Sequence, residues 1–358
     1  MHALVFGTVS DPLLAAALWT GCGALAATFA LLVVIALMRL RLLRRLARER
    51  RVAALWNPLL AQCAEGVPDP LPRLRRRDAE SFLLLWCRAQ ESLRGEAQAH
   101  LREMARRLGV EAWTGRLLRS RRIDRRLLAL VTLGHLRMRE HAPWLHTLVS
   151  SAPPIVSLYA ARSLMRIDAG IGMPLLLAAT ARRGDWPLAA AGSILRDCDP
   201  RAVAPMLAAA IRAALGKQDG KGLARLLRLH VAAHAESLRD MVLEVIATAV
   251  EPETLAAALG ALSQRQDVVH ARRLIGHPEW FVRVAAARAL GRLGGEDDVA
   301  RLAAALADPN WWVRYRAAQA LCSIPGMGPA ELGALAARLT DRFATDMLRQ
   351  VIAERTPA

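Results

Sequence analysis

Pro278-Glu279-Trp280-Phe281-Val282-Arg283-Val284-Ala285-Ala286-Ala287-Arg288-Ala289-Leu290 can be set over Pro309-Asn310-Trp311-Trp312-Val313-Arg314-Tyr315-Arg316-Ala317-Ala318-Gln319-Ala320-Leu321. At this offset of 31 residues, eight of thirteen positions are identical. Carried backwards, the register finds Leu259 with Leu262, Leu195 with Cys198, Leu164 with Ile167 and Leu133 with Leu136. Leu226 with Leu229 fills the remaining slot, after which the register slips by two. Each unit holds two short apolar-periodic segments separated by Asp, Gly or Pro, which predicts a pair of antiparallel helices. Neither helix can bury a core alone, so the pairs must stack. Small faces such as Ala285 to Ala287, Ala317 with Ala318, and Ala189 to Ala191 let them approach closely.

Composition agrees. Hydrophobic types make up 54% of 358 residues, yet aromatics only 4%, so the apolar content is mostly Ala and Leu; a β-sandwich or barrel is excluded. Five scattered cysteines without a C-x-x-C pair indicate neither a disulfide framework nor a structural zinc site, and fit a reducing compartment. Of 49 basic residues only Lys217 and Lys221 are lysine, an arginine bias that points to a GC-rich, bacterial coding background.

Asp308 to Leu321 resembles the HEAT-repeat pattern D-x-x-x-x-V-R-x-x-A-A-x-A-L, in the short bacterial form also found in phycobilin-lyase-like repeats, and His277 to Leu290 repeats it. The resemblance implies an all-α fold, an α-solenoid of stacked antiparallel helix pairs with a period of about 31, whose extended surface holds another protein. In that family an Asp at the inter-helix turn pairs with an Arg six residues on. Asp308 and Arg314 have this spacing, whereas His277 replaces the Asp before Arg283 and weakens the ladder there.

Upstream, Leu13 to Met38 is a run of 26 residues without a charge, eleven of them Leu, Ile, Val or Phe, long enough to cross a bilayer as a helix. Arg39, Arg41, Arg44, Arg45, Arg48, Arg50 and Arg51 follow, with Glu49 the only acid among them, while no Lys or Arg precedes Asp11. A cleaved signal peptide expects its charge on the other side of the apolar run. The positive-inside rule therefore predicts a retained single-pass anchor in a bacterial inner membrane, N-terminus out and the remainder cytoplasmic. The domain reading is a short extracytoplasmic stretch 1–12, a transmembrane helix 13–38, a basic juxtamembrane helix 39–57 ended by Asn57-Pro58, a Pro/Arg-rich linker 58–77, and the solenoid 78–358.

The formal charge of +17 is uneven: residues 39 to 126 carry a net +12, residues 127 to 358 only +6. Basic residues just inside a membrane meet anionic lipid headgroups, each worth about 1 kcal/mol. That placement weakens the alternative of a nucleic-acid-binding HEAT-like protein. Arg73, Arg75, Arg76 and Arg77 form a second cluster, and the run from Arg116 to Arg126 a third that faces lipid or a partner.

Chemistry-bearing residues are sparse. His230 and His234 are four apart, the spacing of a two-histidine metal site on one helix face, with Glu236 nearby and no visible third ligand. His135, His141 and His146 have no companion cluster. No His-Glu dipeptide occurs, as the di-iron HEAT-like hydroxylases of the deoxyhypusine type would need. No phosphate loop or nucleophile elbow is present, so the chain reads as a non-enzyme without a cofactor; a bilin-lyase-like or metal-binding enzyme is the remaining alternative. Trp280 and Trp311 lie one period apart, Trp186 within one residue of the same register, and Trp312 beside them. With Arg283 and Arg314 they are the candidate partner-binding residues, since Trp and Arg favour interfaces. The layout is that of a membrane-tethered scaffold for a membrane-associated protein, such as an accessory subunit of an envelope-polysaccharide or transport assembly.

Overall fold

The computed structural model describes residues 12–234 and 238–355, which form helices, turns and loops with no strand. The chain divides into two compact units, Met1–Leu128 and Ala129–Ala358.

The first unit begins with one continuous helix, α1, Pro12–Gln62, of 51 residues, roughly 77 Å at about 1.5 Å per residue. Pro58 lies inside it and does not end it, contrary to the boundary expected at Asn57-Pro58. Packing overrides the missing N–H: Val52, Trp56, Leu60 and Cys63 recur at helical spacing and are buried. They meet α2 (Ala79–Ser92) and α3 (Glu96–Arg107). Trp56 lies edge-on to Phe82 at 4.5 Å, the Cys63 thiol reaches Met104 Sδ at 3.6 Å, and Trp86 Nε1 donates to Leu101 O at 2.8 Å. The expected 58–77 linker is thus partly helix; irregular chain begins at 63 and runs to 78. From Trp19 to Leu46, by contrast, the large apolar side chains of α1 are exposed and no protein covers them. α4 (Val110–Leu118) follows, and α5 (Ile123–Leu136) crosses the division between the units.

The second unit is an α-solenoid. One layer consists of α7 (Pro154–Ile167), α9 (Leu188–Arg196), α11 (Gly220–Ala233), α13 (Pro252–Ala261), α15 (Trp280–Leu293), α17 (Trp311–Leu321) and α19 (Arg342–Arg355), each packed on the next. The preceding helices make the other layer: α6 (Ala142–Ser151), α8 (Ala169–Arg182), α10 (Pro200–Gly216), α12 (Arg239–Thr248), α14 (Val268–Leu274), α16 (Val299–Ala305) and α18 (Pro329–Arg338). The register leucines Leu133, Leu164, Leu195, Leu226, Leu259, Leu290 and Leu321 are all buried, on α5 and then on successive helices of the first layer. Between α15 and α17 the core is alanine: Ala286, Ala287, Ala317 and Ala318 have no exposed surface. Gly291 comes so close to the next helix that an added Cβ would lie 2.6 Å from Ala320 Cα.

Candidate functional site

Arg283 and Arg314 sit on the first turn of α15 and α17, and each folds back to donate from Nη1 to the carbonyl six residues earlier, His277 O at 2.9 Å and Asp308 O at 3.1 Å. The six-residue spacing therefore marks a bond to backbone, not to the Asp carboxylate. That carboxylate pairs with the preceding unit instead: Arg283 Nε and Nη2 reach both oxygens of Asp308 at 2.7 and 2.8 Å, with side chains only 14% and 10% exposed. His277 does not weaken this ladder. Its Nδ1 accepts from Glu279 N at 3.1 Å, the turn-closing role that Asp308 Oδ1 plays for Asn310 N at 2.8 Å. The arginine that an Asp at 277 would serve is absent, since Pro252 stands one period before Arg283. At the other end Leu339 stands one period after Asp308, so Arg314 meets no next carboxylate and its buried Nε has no hydrogen-bond partner. Both arginines are thus structural, spent on turns and on the stack.

A second ladder joins the other layer. Arg239 grips Asp267 at 2.7 Å and Arg272 grips Asp298 at 2.7 Å, both carboxylates buried. Burial pushes the carboxyls of Asp298 and Asp308 up. Hydrogen bonds from Arg272 and Gly295 N to the first, and from Arg283 and Asn310 N to the second, outweigh it and hold both below the usual carboxylate range.

Trp186 is buried at 2% exposure and donates from Nε1 to Ser157 Oγ at 2.8 Å. It precedes Pro187 and the start of α9, whereas Trp280 and Trp311 are first residues of helices; the one-residue difference turns it into the core and removes it from the candidate surface. The other three remain outside: Trp280 is 41% exposed, Trp311 42% and Trp312 49%. Trp311 stacks on Tyr315 at 5.1 Å and meets Trp312 edge-on at 4.8 Å. Sequence reasoning missed the row that Trp312 belongs to. Val250, Phe281, Trp312 and Phe343 follow one another at intervals of 31, an offset that the repeat already contained. Val250, Trp312 and Phe343 are exposed and Phe281 half-buried, so apolar side chains mark four successive rungs.

The histidine pair does not form a metal site. His230 is buried, its Nδ1 has no hydrogen-bond partner, and burial pushes its pKa down. His234 caps α11 in the left-handed conformation, φ 49°, and so leaves the helix face; Glu236 lies outside the described residues. Among the described residues no group of three or more His, Cys, Asp or Glu converges.

Of the basic clusters, Arg39 through Arg51 are exposed along α1, with Arg45 bonded to Glu49 at 2.8 Å. The third cluster is partly spent: Arg116 lies over Trp113, Arg122 pairs with Asp124 and Arg125 with Glu80.

The family model for HEAT repeats matches residues 240–322 and again 271–354. No curated protein matches the chain. Among solved structures, the crystal structure of an engineered protein is 14% identical, covering 85% of this chain and 93% of its own, with a TM-score of 0.31. The residues matched by the family model carry the exposed aromatic rungs and, Arg239 apart, both arginine–aspartate ladders. From residue 240 to residue 354, this chain is built of HEAT repeats.

Proposed function

We propose that this protein is a membrane-tethered scaffold: α1 spans the inner membrane, N-terminus out, and the HEAT repeats hold a membrane-associated protein in the cytoplasm. The observation that carries the reading is the exposure of Trp280, Trp311 and Trp312 on adjacent rungs, where bulky aromatics lie open to a partner. The continuity of α1 supports a retained anchor over a cleaved leader, because the helix that begins in the apolar run ends with Trp56 and Leu60 inside the core of the first unit. Arg39, Arg41, Arg44, Arg45, Arg48, Arg50 and Arg51 then face anionic headgroups. Charge speaks against nucleic acid at the repeats: from Arg239 to Ala358 there are fourteen basic and fourteen acidic residues. A tether of this kind suits an accessory subunit of an envelope-polysaccharide or transport assembly.

The test is site-specific photo-crosslinking in native membranes, with benzoylphenylalanine at Trp312 or, as a control, at the exposed Ala330 of α18. One reproducible protein adduct from position 312 and none from 330 is the expected result. Equal labelling from both positions, or none, would sink the proposal.

A further inference from the structure

A cavity of about 580 Å³ opens where the turn entering α11 meets the turn entering α13. Leu215, Leu223, Ala249 and Val250 give it apolar walls, and Glu251 is the one charged side chain lining it. The threonines there are occupied: Thr254 Oγ1 donates to Gly220 O at 3.0 Å and Thr248 Oγ1 to Glu244 O at 2.8 Å. Glu251 has no ion pair among the described residues. Its carboxylate lies against Gly220, where a methyl group would overlap Oε2, so a residue without a side chain makes room for it. Lys217 and Lys221 flank the turn but neither lines the cavity nor pairs with Glu251.

The cavity stands at the head of the apolar row, since Val250 is both its lip and the first rung before Phe281, Trp312 and Phe343. Along the same edge Glu253, Glu279 and Asp341 form no ion pair among the described residues. Of the nearby arginines, Arg283 is paired with Asp308 and Arg342 with Asp346, whereas Arg314, on a carbonyl, lies over the Phe343 ring at 5.9 Å and Arg316 bonds to Gln319. Around Val250 and Phe281 the edge thus presents apolar side chains beside the carboxylates of Glu251, Glu253 and Glu279, the complement of a basic chain.

We infer that the cavity receives an arginine or lysine side chain from an extended, basic segment of a partner polypeptide that continues along Phe281, Trp312 and Phe343. This rests on the reading that the aromatic edge holds a partner. The aliphatic stem covers Leu223 and Val250 while the cationic head meets Glu251. Packed helices stand about 8–10 Å apart, and a polyproline-II chain rises about 3.1 Å per residue with three residues per turn, so every third residue of such a segment faces a rung.

The test uses the full chain in neutral detergent and two fluorescent twelve-residue peptides, repeats of Arg-Ala-Leu and of Glu-Ala-Leu. Because Arg39 to Arg51 attract the acidic peptide elsewhere, the readout is the change on substitution. Glu251→Gln should weaken the basic peptide about 5- to 10-fold without altering the melting temperature, and Glu251→Lys should weaken it further while strengthening the acidic one. Trp312→Ala should weaken the basic peptide as well. Full retention of basic-peptide affinity in Glu251→Gln, or no binding of that peptide to the wild-type protein, overturns the inference. Loss on Trp312→Ala alone would keep the edge as a docking site and remove only its preference for cations.

Discussion

Asp308 does three things at once: it closes its own turn, accepts both arms of Arg283 from the preceding unit, and lends its carbonyl to Arg314. Replacing it by Asn keeps the shape but leaves a largely buried guanidinium facing a neutral group, which should cost about 1–3 kcal/mol in denaturant unfolding of the full chain. The sign of the pH effect follows from the lowered carboxyls of Asp298 and Asp308. The unfolded chain binds their protons more readily, so their contribution is complete above the unfolded carboxylate value and fades as pH falls through the lower folded one. Melting temperature should therefore drop as pH falls below the ordinary carboxylate range, and Asp308→Asn should show a shallower drop than the wild-type protein. An unchanged acid limb would show that the ladder adds nothing. These bonds were only half legible in the sequence. The spacing of Asp308 and Arg314 announced a turn motif, but the carboxylate's partner lies 25 residues back, and Arg239 with Asp267 lies 28 apart, outside any local pattern.

Between helices, what decides stability is how closely two backbones approach. Gly291, inside α15, faces Ala320 Cα, and Ala there gains about 1 kcal/mol of helix propensity but loses about 1–3 to overlap with a neighbour that is backbone and cannot move aside. Gly291→Ala should thus lower the melting temperature. Gly333, inside α18 with nothing within 4 Å of an added Cβ, should raise it when changed to Ala. If both substitutions shift stability the same way, close packing is not what α15 and α17 depend on. Helices at this scale were the most readable part of the chain: the seven register leucines, inferred from spacing alone, are all in the core. Less readable was where helices stop. Pro58 looked like a terminator, yet buried contacts of Trp56 and Leu60 carry α1 on to Gln62. Trp186 misled for a related reason, since it belongs to the turn before α9 and not to the helix itself.

Taken whole, the chain separates its charge from its repeats: the exposed arginines cluster along α1, while the HEAT segment is balanced. If those arginines set orientation, changing all seven between Arg39 and Arg51 to Gln should convert a uniformly cytoplasmic C-terminal reporter into a mixed population. A reporter that stays cytoplasmic would shift the credit to some other feature. On α19 the exposed side chains of Arg342, Asp346, Arg349, Gln350 and Glu354 are polar. Phe343 is the exception on that surface, and it is the last rung of the apolar row.

The unbroken course of α1 has a mechanical meaning. A flexible leash would let the apolar end drift without disturbing what hangs from it. Here the same helix that emerges uncovered at Trp19 is wedged by Trp56 against Phe82 of α2. Tilting or twisting its outer end must turn the first unit like a handle turning a shaft.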